Sequence, residues 1–329
     1  MNSKLLVGIK SKVCGLKCLL SLLTVMLLVG SQVRVEAAVK PQGKGFNSPE
    51  LAIATLVEAV RRVDGAGILA VLGDGAQDLV FSGDTVEGKK EAANFVKAYD
   101  EKHQLKKTGT ASVTLMIGAD DFIYPIPIIK VDGQWYFDVA AGREELLNRR
   151  IGRNELAVIQ VMLAYVEAQY EYASEDRDGD GVLEYAQKIK SDPGQKNGLY
   201  WPVEEGEKIS PFGPFIAKAA REGYHGNDGD ADKPQPYNGY YYKVVTRQGK
   251  NAPGGAYDYV VNGNMILGFG LMAYPAKYGV SGIMSFAVNH EGIVYESDLG
   301  EKTADYVNKV ENYNPDEHVW RKVSDQDID

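Results

Sequence analysis

The sequence predicts an α+β fold in which N-terminal helices precede a curved antiparallel sheet, and a long helix then packs on a second antiparallel sheet. Three features predict it. Apolar residues between Leu51 and Tyr99 recur at helical spacing. From Ala111 to Val139 the chain changes to β-branched and aromatic stretches divided by a turn signal. The pattern from Arg143 to Glu175, the longest helical one in the chain, is followed by further β-patterned stretches after Tyr240.

In chain order, Ser48-Pro49-Glu50 opens the first helix: Ser48 can cap it, Pro49 suits its first turn, and Glu50 favours the positive end of its dipole. Leu51, Ala54, Leu56, Val57, Val60 and Val63 give it an apolar face. A short helix follows Gly65, and Glu87 to Tyr99 forms a third with Ala92, Phe95, Val96 and Tyr99 inward. Ala111–Ile117, Phe122–Lys130 and Gln134–Val139 are expected strands, the last two joined by the tight-turn pair Asp132-Gly133. Pro125 and Pro127 remove backbone donors, so their strand is expected at an edge or bulged. In the long helix, Leu156, Ile159, Leu163, Val166 and Tyr170 are expected to face inward. A Gly- and Pro-rich loop region with a short helix at Pro214–Arg221 leads to strands at Tyr240–Thr246, Ala256–Val261 with Met265–Tyr274, and Ile283–Val288 paired with Ile293–Glu296.

The N-terminus carries Lys4, Lys10, Lys12 and Lys17, then an apolar run from Leu19 to Val29, then a polar stretch ending Val35-Glu36-Ala37-Ala38. This is the layout of a signal peptide, expected to be cleaved after Ala37. The run is only 11 residues, and a spanning helix needs about 20. A periplasmic or secreted location is therefore expected, with no membrane span after cleavage. Both cysteines, Cys14 and Cys18, fall in residues 1–37, which leaves the mature chain without a disulfide or thiolate site. Removing five basic residues and one acidic one takes the net charge from −9 to −13, which opposes binding to nucleic acid. The mature length favours two domains, 48–142 and 143–323, after a linker at 38–47 and before a polar tail at 324–329.

Three likenesses follow from these residues. Helices ahead of a curved antiparallel sheet resemble the cone-shaped fold of the nuclear-transport-factor-2-like superfamily. Six segments together, Ala141-Gly142-Arg143-Glu144-Glu145, Arg150-Ile151-Gly152-Arg153-Asn154-Glu155, Asp176-Arg177-Asp178-Gly179-Asp180-Gly181, Gly198-Leu199-Tyr200-Trp201, Gly239-Tyr240-Tyr241-Tyr242 and Pro253-Gly254-Gly255-Ala256-Tyr257-Asp258-Tyr259, resemble a bacterial exported family, the domain-of-unknown-function family numbered 2950. That resemblance runs from about Ser48 to Val319 and brings no activity with it. The C-terminal half also looks like the head of type IV pilins and pseudopilins. Without a prepilin cleavage motif and long apolar helix, it implies a scaffold rather than a filament subunit.

The sharpest chemical signal is Asp176-Arg177-Asp178-Gly179-Asp180-Gly181-Val182-Leu183-Glu184. Asp176, Asp178, Asp180 and Glu184 occupy loop positions 1, 3, 5 and 9, Gly181 the sharp turn, and the Val182 carbonyl position 7, the oxygen spacing of a calcium loop. Gln187 at position 12 cannot supply the bidentate carboxylate. The reading is a structural Ca²⁺; its rival is a solvated acidic loop. His103, His225, His290 and His318 form no zinc spacing, and no nucleophile motif occurs. Asp120-Asp121 and Glu144-Glu145 could act as acid and base in a hydrolase cleft, or simply form a loop and a helix start. Arg149, Arg150 and Arg153 are expected to form a domain-contact ion-pair set. Tyr200, Trp201, Tyr237, Tyr240, Tyr241 and Tyr242 could present a binding surface to an envelope protein or polymer, or pack beneath loops. The function expected is a non-catalytic binding or envelope-assembly module, with a periplasmic hydrolase using those carboxylates as the alternative.

Overall fold

The computed structural model describes residues 42–204, 206–224 and 235–324. The expected signal peptide at 1–37, Cys14, Cys18, His225 and the tail beyond Ser324 lie outside the described residues. Helix α1 (Pro49–Arg61) starts where expected, with the Ser48 hydroxyl accepting the Leu51 amide at 3.2 Å. Helices α2 (Gly65–Leu72) and α3 (Gln77–Val80) are short. Helix α4 (Thr85–Glu101) begins two residues before the expected Glu87, because Asp84 Oδ1 accepts the amides of Val86 and Glu87 at 3.0 Å each.

The first sheet contains β1 (His103–Gly109), β2 (Ser112–Ile117), β3 (Phe122–Ile123), β4 (Ile128–Val131) and β5 (Gln134–Phe137). Its order is β1-β2-β4-β5, with β3 also on β2, and every pair is antiparallel. The expected strand through Phe122–Lys130 is split. Its register on β2 steps from Met116↔Ile123 to Val113↔Ile128, so two extra residues bulge out around Pro125-Ile126-Pro127. Asp132 and Gly133 both take positive φ, 49° and 84°, as their two-residue hairpin requires. β1, an exposed polar edge strand, carries no apolar alternation that sequence reading could register.

Helix α5 (Val139–Tyr172) runs for 34 residues, starting four earlier than expected under the Asp138 cap. Gly142 on its first turn lies against the Pro125–Ile126 backbone, where a Cβ would collide. The expected inner stripe needs correction. Ile159 and Val166 are buried, but Leu156 and Tyr170 are each 49% exposed. The buried face instead runs through Arg150, Asn154, Val158, Met162, Tyr165, Gln169 and Tyr172. Three of these seven are polar, so an apolar periodicity cannot find the face.

After a long irregular stretch and α6 (Gly213–Arg221) come β6 (Tyr240–Val245), β7 (Arg247–Gln248), β8 (Tyr257–Asp258), β9 (Val260–Val261), β10 (Asn264–Met265), β11 (Gly270–Pro275), β12 (Met284–Asn289), β13 (Tyr295–Asp298), α7 (Thr303–Lys309) and β14 (Arg321–Lys322). The main C-terminal sheet has the order β14-β13-β12-β11-β6, antiparallel throughout. Alternation sends Leu271, Ala273, Phe286 and Val288 toward α5, while Met272, Ala287 and Val245 join Val307, Tyr313 and Trp320 on the α7 side. A separate cluster, built on Leu56, Leu115, Ile126, Ile128 and Phe137, lies between the N-terminal helices and their sheet. The chain is thus α+β, with helices on antiparallel sheets in both halves.

Polar contacts from α5 tie the halves together. The buried Arg150 guanidinium bonds Glu91 of α4 at 2.9 Å and the carbonyls of Asp78 and Leu79 at 2.9 and 2.8 Å. Arg153 also pairs with Glu91, and Asp78 pairs with Arg143 and, at 2.6 Å, with Lys277 of the β11–β12 loop. Asn154 donates to the Ser281 carbonyl at 2.8 Å, and Glu155 accepts the amides of Ile283 and Met284 at 2.9 Å. Asp84 Oδ2 accepts the Tyr224 hydroxyl at 2.8 Å and the Gly239 amide at 2.9 Å. The expected arginine cluster therefore divides: Arg150 and Arg153 ion-pair across elements, while Arg149 pairs along its own helix with Glu145 and lies over the Phe122 ring of β3.

Two predictions follow from this network. Arg150→Ala should lower the free energy of unfolding by about 3–5 kcal/mol in urea titration, because Glu91 and two carbonyls lose a buried partner, whereas Arg149→Ala should cost under about 1 kcal/mol. Burial pushes the Glu87 carboxyl above the usual carboxylate range, opposed by Lys90 and reinforced by Glu91 and Asp84. A native state that holds this proton more tightly than the unfolded chain is favoured below the unfolded value, and that advantage is lost as pH rises through the folded one. Glu87→Gln should therefore gain stability relative to the native sequence between pH 4 and pH 7 in paired denaturant titrations.

Candidate metal centre

The acidic loop leaves the C-terminal end of α5 and is shaped from within. Asp176 accepts the amides of Gly179 at 2.7 Å and Gly181 at 2.9 Å, and those two bonds, in that order, hold its carboxyl below the usual range. Gly179 and Gly181 have φ of 81° and 89°, which side-chain-bearing residues rarely adopt. As a result Asp176, Asp178 and Asp180 each bring a carboxylate oxygen within 4.8 Å of the other two, all exposed. Hard oxygen donors so spaced can hold a divalent cation.

Of the other expected ligands, Glu184 turns elsewhere. Glu184 accepts the Met265 amide at 3.0 Å, and Gln187 donates to the Gly263 carbonyl. Partial burial pushes the Glu184 carboxyl up; the Met265 amide opposes this and the charges of Asp178, Asp180 and Asp176 add to it. Asp180 accepts from the Asn264 side chain at 2.8 Å, and Tyr185 bridges to Met265. The loop is therefore seated on the β9–β10 hairpin. That partner was missed in the sequence, although Asn262-Gly263 announces it: both take positive φ and Val261 pairs with Asn264 across them. On its other side the loop is held by Arg177, whose guanidinium lies over the rings of Tyr172 and Trp201 and bonds the carbonyls ending α5.

The aromatic residues separate by burial. Tyr240 is fully buried, its hydroxyl on the Met284 carbonyl at 2.9 Å, and Trp201 is buried against Tyr172, so both are core rather than surface. Tyr200 and Tyr242 are half-buried against that same core, and Tyr241 packs on Tyr274. Tyr237 meets Phe215 and Tyr224 edge-on.

The carboxylates weighed for acid–base work lie on different elements. Asp120 and Asp121 form the β2–β3 turn, where Asp121 pairs with Lys102 at 2.7 Å; Glu144 and Glu145 are exposed on α5, where Glu145 pairs with Arg149. A shallow groove of about 510 Å³ runs between α1 and α4, lined by Val60, Val63, Ala92, Ala93 and Val96, and none of the four borders it. His103 stacks on Tyr99, and His290 sits in the β12–β13 turn against Tyr259 and Phe269.

The sequence model of the family described as "Protein of unknown function (DUF2950)" matches residues 43–323. The chain belongs to this family. The DUF2950 match takes in both halves of the fold, including the acidic loop and its hairpin. No curated protein and no solved structure matches the chain, so the likenesses to the nuclear-transport-factor-2 fold and to pilin heads rest on element order alone. Among the described residues, no helix is long and apolar enough to cross a membrane.

Proposed function

We propose that this DUF2950 protein is an exported, non-catalytic binding or envelope-assembly module whose loop at Asp176–Glu184 holds a structural calcium ion. The observation that carries the metal reading is the convergence of the Asp176, Asp178 and Asp180 carboxylates on one point of a loop preformed by two left-handed glycines. The Val182 carbonyl and water would complete the shell, with Glu184 able to contribute only if it leaves the Met265 amide. The role assigned to the ion is to neutralise three crowded carboxylates at the place where α5, the loop and β9–β10 meet. Export rests on the charged, apolar and small-residue succession at 1–37. The binding role rests on the aromatic residues of the C-terminal half, of which Tyr200 and Tyr241 remain partly exposed.

Calorimetric titration of the mature chain with calcium tests the reading, alongside thermal unfolding in calcium and in chelator. Binding at a hundredfold excess over Kd adds about 2.7 kcal/mol, enough to raise Tm by several degrees. Asp178→Ala should abolish both the heat and the shift. No heat and unchanged Tm would reduce the loop to a solvated turn.

A further inference from the structure

The seating of the acidic loop on β9–β10 has a second consequence, on its apolar side. Leu183 is 59% exposed, the most exposed large hydrophobic side chain among the described residues, and Ile266 and Leu267 are 40% and 50% exposed. The antiparallel bridge Tyr185↔Met265 places Leu183 and Leu267, each two residues away from it, at the same end. The amides of Ile266 and Leu267 both donate to the Tyr259 carbonyl at 3.1 Å, which fixes this backbone. Met265 is buried in the main core and Tyr185 packs against it, so the segments that carry the apolar edge are anchored to that core. Alongside it stand the three exposed carboxylates of Asp176, Asp178 and Asp180. An apolar edge bordered by one sign of charge is complementary to a segment that is apolar on one face and basic on the other.

We propose that the edge formed by Leu183, Ile266 and Leu267 docks a cationic amphipathic segment of a partner protein, with its Lys or Arg residues directed at the Asp176–Asp178–Asp180 carboxylates. This deepens the binding-module reading and rests on it. It does not require calcium, because without the ion the three carboxylates present their full charge; calcium in the loop would compete with the cationic face.

The probe is a fluorescein-labelled 18-residue amphipathic peptide of leucine and lysine, compared by anisotropy with its glutamate counterpart against the mature chain in chelator. The lysine peptide is expected to bind at least tenfold more tightly. The double substitution Leu183→Ser with Leu267→Ser should weaken it at least tenfold, and Leu51→Ser with Val319→Ser, comparably exposed elsewhere, should leave it unchanged, with circular dichroism confirming that both variants fold. Equal binding of the two peptides, or retention by the Leu183/Leu267 variant, overturns the proposal. Two other outcomes also overturn it: binding to phosphatidylglycerol vesicles but not to the peptide assigns the edge to lipid, and a dimer lost on the same substitutions assigns it to a second copy of the chain. Calcium heat without peptide binding defeats this inference alone, and peptide binding without calcium heat defeats the metal reading alone.

Discussion

The buried guanidinium of Arg150 is the contact on which the arrangement of the molecule turns. It sits about a third of the way along α5, on its inner face, and its donors reach α4 through Glu91 and the α3 turn through two carbonyls. One helical turn further, Asn154 and Glu155 bond the backbone at Ser281, Ile283 and Met284, the entry to β12. A cation buried this way must keep its partners, since leaving it unpaired costs several kcal/mol. The helix is thereby committed at one point to both hydrophobic clusters. Its N-terminal turns pack on the proline bulge, and its C-terminal turns present Tyr165, Gln169 and Tyr172 to the second sheet and the loops over it.

The acidic loop inherits its position from this helix. Gln169, fully buried, bonds both the amide and the carbonyl of Ala186 and so fixes the loop's exit, while Arg177 fixes its entry against Tyr172 and Trp201. Between these anchors, three carboxylates within 4.8 Å repel one another and are offset by amide donors from the same loop. Such a cluster favours any cation that can replace water around it. Crowded charge and exposed leucines both belong to one junction, that of the loop with β9–β10.

Legibility in the sequence followed local chemistry. Ser48, Asp132-Gly133 and the proline pair each act on their own backbone neighbours, and each produced the expected cap, turn or bulge. The inner face of α5 was misread at Leu156 and Tyr170 because Arg150, Asn154 and Gln169 are buried by partners more than fifteen residues away in sequence, which no periodicity reveals. β1 and β14 were missed because their residues, Leu105 apart, are polar and exposed, so no apolar alternation marks them. At the candidate site the three aspartates were legible from spacing alone. The diversion of Glu184 was not, because it depends on the hairpin at Asn262-Gly263 lying against the loop.

The three tryptophans report on the three hydrophobic clusters: Trp135 on the N-terminal one, Trp201 on the α5 side of the second sheet and Trp320 on its α7 side. Equilibrium urea unfolding of three single-tryptophan variants, the other two changed to phenylalanine, tests most directly whether α5 and its buried Arg150 bind the chain into one cooperative unit. Referenced to each variant's stability by circular dichroism, the fluorescence and backbone transitions should coincide in all three. A Trp135 transition separated from the other two would show that the halves unfold independently, and would contradict the account.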